Sequence, residues 1–219
     1  MHAITENEAH PDAALAPSRP IGSVVDLFCG AGGLSHGFHL EGYAVKAGID
    51  IDEDCRFAYE HNNDAPFLAK DVSALTAADL EQLFIRDEPR ILVGCAPCQP
   101  FSTYNQKNDD PKWKLVEKFG ELITALLPDV VSMENVPRLL NFKGGDVINQ
   151  FVENLEGKGY SVEHRIVFAP DYGVPQTRSR LVLLASRRGA ISLEEPVPSA
   201  DGYPTVEGAI GRLAPLRRD

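Results

Sequence analysis

Three short stretches carry residue types that could do chemistry together. Cys98 lies in Val93-Gly94-Cys95-Ala96-Pro97-Cys98-Gln99-Pro100-Phe101-Ser102, directly after the apolar run Ile91-Leu92-Val93. Prolines on both sides of it oppose helix and strand, so the run reads as a strand that ends in a loop displaying a thiol. A buried thiol of purely structural use is the plainer alternative, since free cysteine packs as a small apolar residue. Glu134 closes a second apolar run, Val130-Val131-Ser132-Met133. An acid there is partly desolvated, which raises its pKa and lets it donate a proton or hydrogen bond near neutrality. Gln176, Arg178 and Arg180 alternate, and in an extended chain that spacing puts all three on one face. Two guanidiniums aimed together suit a ligand with acceptor oxygens or a buried carboxylate.

A fourth stretch binds rather than reacts. Asp26-Leu27-Phe28-Cys29-Gly30-Ala31-Gly32-Gly33-Leu34-Ser35 reads as a strand running into a glycine-rich turn and a helix. Gly30, Gly32 and Gly33 let the backbone approach a ligand, and the helix that opens at Leu34 offers unpaired N–H groups. Asp50 ends a second strand 20 residues after Gly30, the distance at which an acid commonly accepts ribose hydroxyls. A nucleoside-containing cofactor follows, and so short a glycine pattern also suits a nicotinamide dinucleotide. Two details favour S-adenosylmethionine. Ser35 stands where the dinucleotide pattern wants its third glycine, and Asp26 would repel a pyrophosphate but suit the ammonium of a methionine moiety. Asp71, after a third short strand, can accept from an adenine amino group.

The elements that must position these residues alternate along the chain. Strands are predicted over residues 23–28, 44–49, 66–69, 91–93, 130–133, 161–168 and 180–186. Helices are predicted over 34–41, 53–61, 76–86 with Thr76 as N-cap, 112–127 ended by Pro128, and 146–158 closed by Gly159. This order predicts an α/β fold, a doubly wound and mostly parallel sheet of Rossmann-like type, with sites at the carboxyl ends of its strands. Residues 1–20, rich in alanine, proline and acids, read as a disordered leader, and 21–219 as one domain.

Composition narrows the function classes. The chain has 219 residues and a net charge of -11, against binding nucleic acid by bulk electrostatics. The charge is uneven: residues 1–100 hold 16 acids and 6 bases, residues 101–219 hold 16 and 15, so a polyanion would meet the second half. No apolar run reaches the ~18 residues of a membrane span, and the N-terminus lacks the basic start of a signal peptide. Four cysteines form no disulfide framework, and a cytoplasmic location is expected. His36 and His39 share a helix face without companions, so no metal site is expected.

Taken together, the four motifs resemble the cytosine-5 DNA methyltransferase family in order and spacing over about residues 21–210. The resemblance implies transfer of a methyl group from S-adenosylmethionine to carbon 5 of cytosine in DNA. It makes Cys98 the nucleophile, which adds at carbon 6 so that carbon 5 can attack the methyl group. Glu134 becomes the acid at ring nitrogen 3, and Arg178 and Arg180 fix the pyrimidine, with Arg180 at the oxygen on carbon 2. Phe28, Asp50, Ile51, Asp71, Val72 and Pro97, with the glycine-rich turn, hold S-adenosylmethionine. The target cytosine must flip out of the duplex, and the polar stretch from Thr103 to Lys114 is the loop expected to close over it.

The family also implies what is missing. After a segment like Pro204-Thr205-Val206-Glu207-Gly208-Ala209-Ile210 its members continue into a target-recognition domain and a last cofactor motif, whereas this chain stops at Asp219. A truncated enzyme, or one part of a split enzyme with a second polypeptide that reads the DNA, is the expectation. Alternatives are a methyltransferase acting on cytosine in tRNA, a dependent DNA-methyltransferase subunit and, more remotely, a Cys95-x-x-Cys98 thiol oxidoreductase.

Overall fold

The computed structural model describes residues 21–97, 113–196 and 202–214. Residues 1–20, expected to be a leader, Cys98 with the residues to 112 expected to form a closing loop, residues 197–201 and the last five residues lie outside the described part.

Seven strands form one sheet in the order β3-β2-β1-β4-β5-β7-β6. β1 (Ser23–Leu27), β2 (Ala44–Asp50), β3 (Phe67–Ala69), β4 (Arg90–Gly94) and β5 (Val130–Asn135) run parallel. β7 (Ser179–Ser186) is antiparallel to both β5 and the edge strand β6 (Ser161–Phe168). β1 is buried along its whole length and β4 along all but its first residue, as strands covered on both faces must be. That is why they are written as nearly unbroken apolar runs.

Helices cover both faces. On one, α1 (Gly33–Leu40) and α2 (Arg56–Asn63) meet Val24, Val45, Ile91 and Val93, with Tyr59 and Phe67 at the centre of the cluster. On the other, α3 (Ala77–Glu81), α4 (Lys114–Leu126) and α5 (Asp146–Glu156) bury Leu80, Phe119, Ile123, Ile148 and Phe151 against Leu27, Leu92, Val131 and Leu183. The exposed short helix α6 (Val206–Ile210) follows the sheet. The doubly wound expectation is met, and the strand order reverses between β1 and β4. A crevice opens there, outside the strands' carboxyl ends.

Two expectations are corrected. The helix predicted over 76–86 ends at Glu81: Thr76 caps it through a reciprocal pair with Asp79, but Leu83 and Phe84 then bond back only three residues, to Leu80 and Glu81. The chain tightens there because it must turn through left-handed Asp87 to enter β4. The segment from Gln176 to Arg178 is not extended. Gln176 N–H donates to Val174 O and Arg178 N–H to Gln176 O, two tight successive turns, and β7 begins only at Ser179. Gln176, Arg178 and Arg180 therefore do not share one strand face. Arg180 enters the sheet, whereas Gln176 and Arg178 stay exposed before it.

Candidate active site at the carboxyl ends of the strands

The turn after β1 is built on left-handed backbone. Phe28, Gly30 and Gly32 have φ of 59°, 50° and 89°. At Gly32 any side chain is excluded twice, because a Cβ would lie 2.2 Å from Asn63 Nδ2 and 2.7 Å from Tyr59 Cδ2. The third expected glycine, Gly33, begins α1 in open space, and Leu34 packs toward the α1–α2 cluster. The Gly30 N–H donates to Asp50 Oδ2 at 2.9 Å and the Asp52 N–H to Asp50 Oδ1 at 3.0 Å. Asp50 thus ties the end of β2 to the glycine turn, with lone pairs left on both oxygens.

Asp26 is placed differently from its expected role. It is 1% exposed, its Oδ2 accepts from Ser35 Oγ at 2.8 Å, and Ser35 Oγ lies 2.9 Å from Tyr59 OH. Its other oxygen is buried without a partner among the described residues, and burial pushes its pKa up to about 7. The carboxyl therefore faces inward, under α1, and not toward a ligand ammonium. Ser35 stands at its position for this buried network.

A pocket of about 780 Å³ opens between these turns. Phe28, Asp50, Ile51, Asp71, Val72 and Pro97, all singled out by the sequence, line it. Asp71 Oδ1 accepts from the Ser73 N–H at 2.8 Å, which fixes the carboxylate in the pocket lining. Gly30, Gly32, Gly33 and Leu34 form the turn behind the wall. The pocket's volume, apolar faces and two anchored carboxylates fit a nucleoside bearing an amino acid.

Next to it lies a charged pair. Arg180 Nε is 2.6 Å from Glu134 Oε1. Both side chains are about a third exposed. Burial raises the pKa of Glu134 above the ordinary carboxylate value, and Arg180 and the more distant Arg178 only partly offset it. The Cys95 thiol also hydrogen-bonds Glu134, and burial with the nearby carboxylate keeps Cys95 protonated. Asn135, 1% exposed, donates from Nδ2 to Ala96 O at 3.1 Å and accepts from the Val136 N–H at 2.9 Å. It clasps the chain leaving β4 at Ala96, two residues before Cys98. Cys98 itself lies outside the described residues.

Sequence reasoning gave Asn135 no role, weighed Cys95 only as half of a redox pair, and missed the α4 residues Leu115 and Lys118 that line the pocket. Lys114, Leu115 and Lys118 share one helical face directly after the loop, a spacing that would have pointed α4 into the site. Among the described residues no group of three or more His, Cys, Asp or Glu could hold a metal ion, and no helix is long and apolar enough to cross a membrane.

This sheet and its crevice are those of the Rossmann-like S-adenosylmethionine-dependent methyltransferases. Residues 22–214 match the family profile for C-5 cytosine-specific DNA methylases, and the chain belongs to that family. It is 48% identical over 195 residues to the type II methylase M.HgiDII of Herpetosiphon aurantiacus, covering 89% of this chain and 55% of that one. It is 30% identical over 224 residues to the type II methyltransferase M.AquIA of a Picosynechococcus strain, covering 88% of this chain and 89% of that one. Among solved structures it resembles a prophage-encoded E. coli protein described as a DNA modification methyltransferase, with a TM-score of 0.75 and 30% identity over 89% of this chain and 56% of the other. The chain spans about half the length of most of the curated relatives it matches.

Proposed function

We propose that this chain is the catalytic part of a DNA (cytosine-5-)-methyltransferase that takes its methyl group from S-adenosylmethionine. The observation that carries the reading is the Glu134–Arg180 pair, 2.6 Å apart and joined through Cys95 to the lining of a nucleoside-sized pocket. S-adenosylmethionine, bound against Phe28, Asp50, Ile51, Asp71, Val72 and Pro97, would supply an electrophilic methyl group.

The protein's own residues do the rest. Cys98 Sγ adds to carbon 6 of a flipped cytosine and makes carbon 5 nucleophilic. Glu134, its pKa raised by burial, carries a proton to ring nitrogen 3 and keeps charge from building there, worth ~10²–10⁴-fold in rate. Arg180 orients Glu134 through its Nε and offers its remaining N–H groups to the oxygen on carbon 2; Arg178, exposed at the mouth, adds positive field. Loss of the carbon 5 proton then expels Cys98. A cytoplasmic location goes with this reading, since Cys98 acts as a reduced thiol.

The reading includes a separate polypeptide that carries target recognition. Its support is charge: at a net charge of -11 the chain offers little electrostatic attraction of its own to DNA phosphates. The test is transfer of a labelled methyl group to duplex DNA by this chain alone and together with the product of the adjoining reading frame. Labelling only with both supports the proposal. Equal labelling by this chain alone removes the need for a partner, and no labelling under either condition contradicts the activity.

A further inference from the structure

The pocket wall contributed by α4 contains a cation that the proposed chemistry does not use. Lys118 is half-buried, lines the pocket with Leu115, and has no ion-pair or hydrogen-bond partner among the described residues. Asp71 and Ser73 line the same cavity from the far end of β3. A lysine whose stem is packed presents its ammonium where acceptors are offered, and an unpaired one in a ligand cavity awaits an acceptor from the ligand.

What that acceptor is follows from the rest of the wall. α4 packs on the turn Val72–Ala74 that directly follows Asp71, so Lys118 faces the end of the cavity that Asp71 and Val72 line. That is the end at which Asp71 can hold an exocyclic amino group. Apart from that amino group, adenine offers only ring-nitrogen acceptors to polar partners, while Leu115 and Val72 suit its apolar faces. We infer that Lys118 is a cofactor-selectivity residue, whose Nζ donates a charge-assisted hydrogen bond to a ring nitrogen of the adenine whose amino group Asp71 accepts. The inference rests on the cofactor reading above and adds a contact to it: Asp71 reads the donor side of the base and Lys118 an acceptor side.

Direct titration of the full chain with S-adenosylhomocysteine tests it without relying on turnover. Lys118→Met keeps length and helix propensity but removes the donor, and it weakens binding about tenfold. Lys118→Arg restores part of the loss. One of the 1-deaza, 3-deaza and 7-deaza analogues loses a similar factor on the wild type and loses nothing further on Lys118→Met, which identifies the nitrogen. Thermal unfolding without ligand checks that the variant is folded. Wild type that binds S-adenosylhomocysteine no more tightly than Lys118→Met overturns this inference alone. A weakening that all three analogues share equally overturns it too, as a general charge effect. Wild type that fails to bind S-adenosylhomocysteine overturns the cofactor reading and this inference with it.

Discussion

Arg180 at the start of β7 reaches across the antiparallel pair with β5 and places its Nε 2.6 Å from Glu134 Oε1. The pair sits where the parallel part of the sheet meets its antiparallel part. Burial and Arg180 act on the acid in opposite directions, and burial prevails. If Glu134 acts as an acid, activity falls as pH rises through its raised pKa. Arg180→Met removes an influence that lowers this pKa, so the descending limb of the rate-against-pH curve moves to higher pH while the maximum rate drops. A limb that stays in place or moves down would show that the pair does not tune the acid. Glu134→Gln keeps a donor but loses the transferable proton, and costs ~10²–10⁴-fold in rate.

Asn135 is expected to matter through its backbone partners. Asn135→Ala leaves Ala96 O and the Val136 N–H without their bonds in a buried place, a loss of about 1–3 kcal/mol. Urea unfolding measures it. Methyl transfer should fall further than stability explains, because the loop leaving β4 loses its clasp; a variant of unchanged activity would deny that role.

The Asp26 carboxyl gives stability a pH dependence. Its folded pKa is about 7 against an ordinary 3.8, so the folded protein holds this proton more tightly than the unfolded chain. Stability therefore declines as pH rises between those values, by at most about 1.4 kcal/mol per pH unit from this group. Asp26→Asn removes that contribution. Denaturant midpoints at pH 5 and pH 8 should differ less in Asp26→Asn than in wild type, and equal differences would contradict the assignment.

Gly32 is the backbone position least able to change. Gly32→Ala places a methyl group against Asn63 and Tyr59 at a φ of 89°, and should cost roughly 2–5 kcal/mol by thermal or chemical unfolding. A variant as stable as wild type would mean that the turn reorganises freely.

The fold was legible where local pattern and burial agree. β1 and β4 are covered on both faces, so their apolar runs announce them, and Thr76 with Asp79 announces the start of α3. The end of α3 was not legible, because Leu83 and Phe84 continue an apolar helical spacing while the backbone is already turning. The positions of Asp50, Asp71 and Glu134 were legible because each lies at, or within two residues of, the end of a strand. Asn135 and Lys118 were not: one acts on a carbonyl 39 residues away, the other matters only because α4 is laid against the turn at Val72–Ala74. Asp26 misled because its type suggests a ligand, whereas its strand position, 1% exposed, turns it toward Ser35.

The most direct test is covalent capture. A duplex carrying 5-fluorocytosine at the target, mixed with S-adenosylmethionine, this chain and any partner it needs, should give a stable protein–DNA adduct, because fluorine cannot leave as the carbon 5 proton does. The account predicts the adduct with wild type, peptide mapping of the linkage to Cys98, and none with Cys98→Ala. An adduct that persists in Cys98→Ala, or maps to another residue, would contradict it.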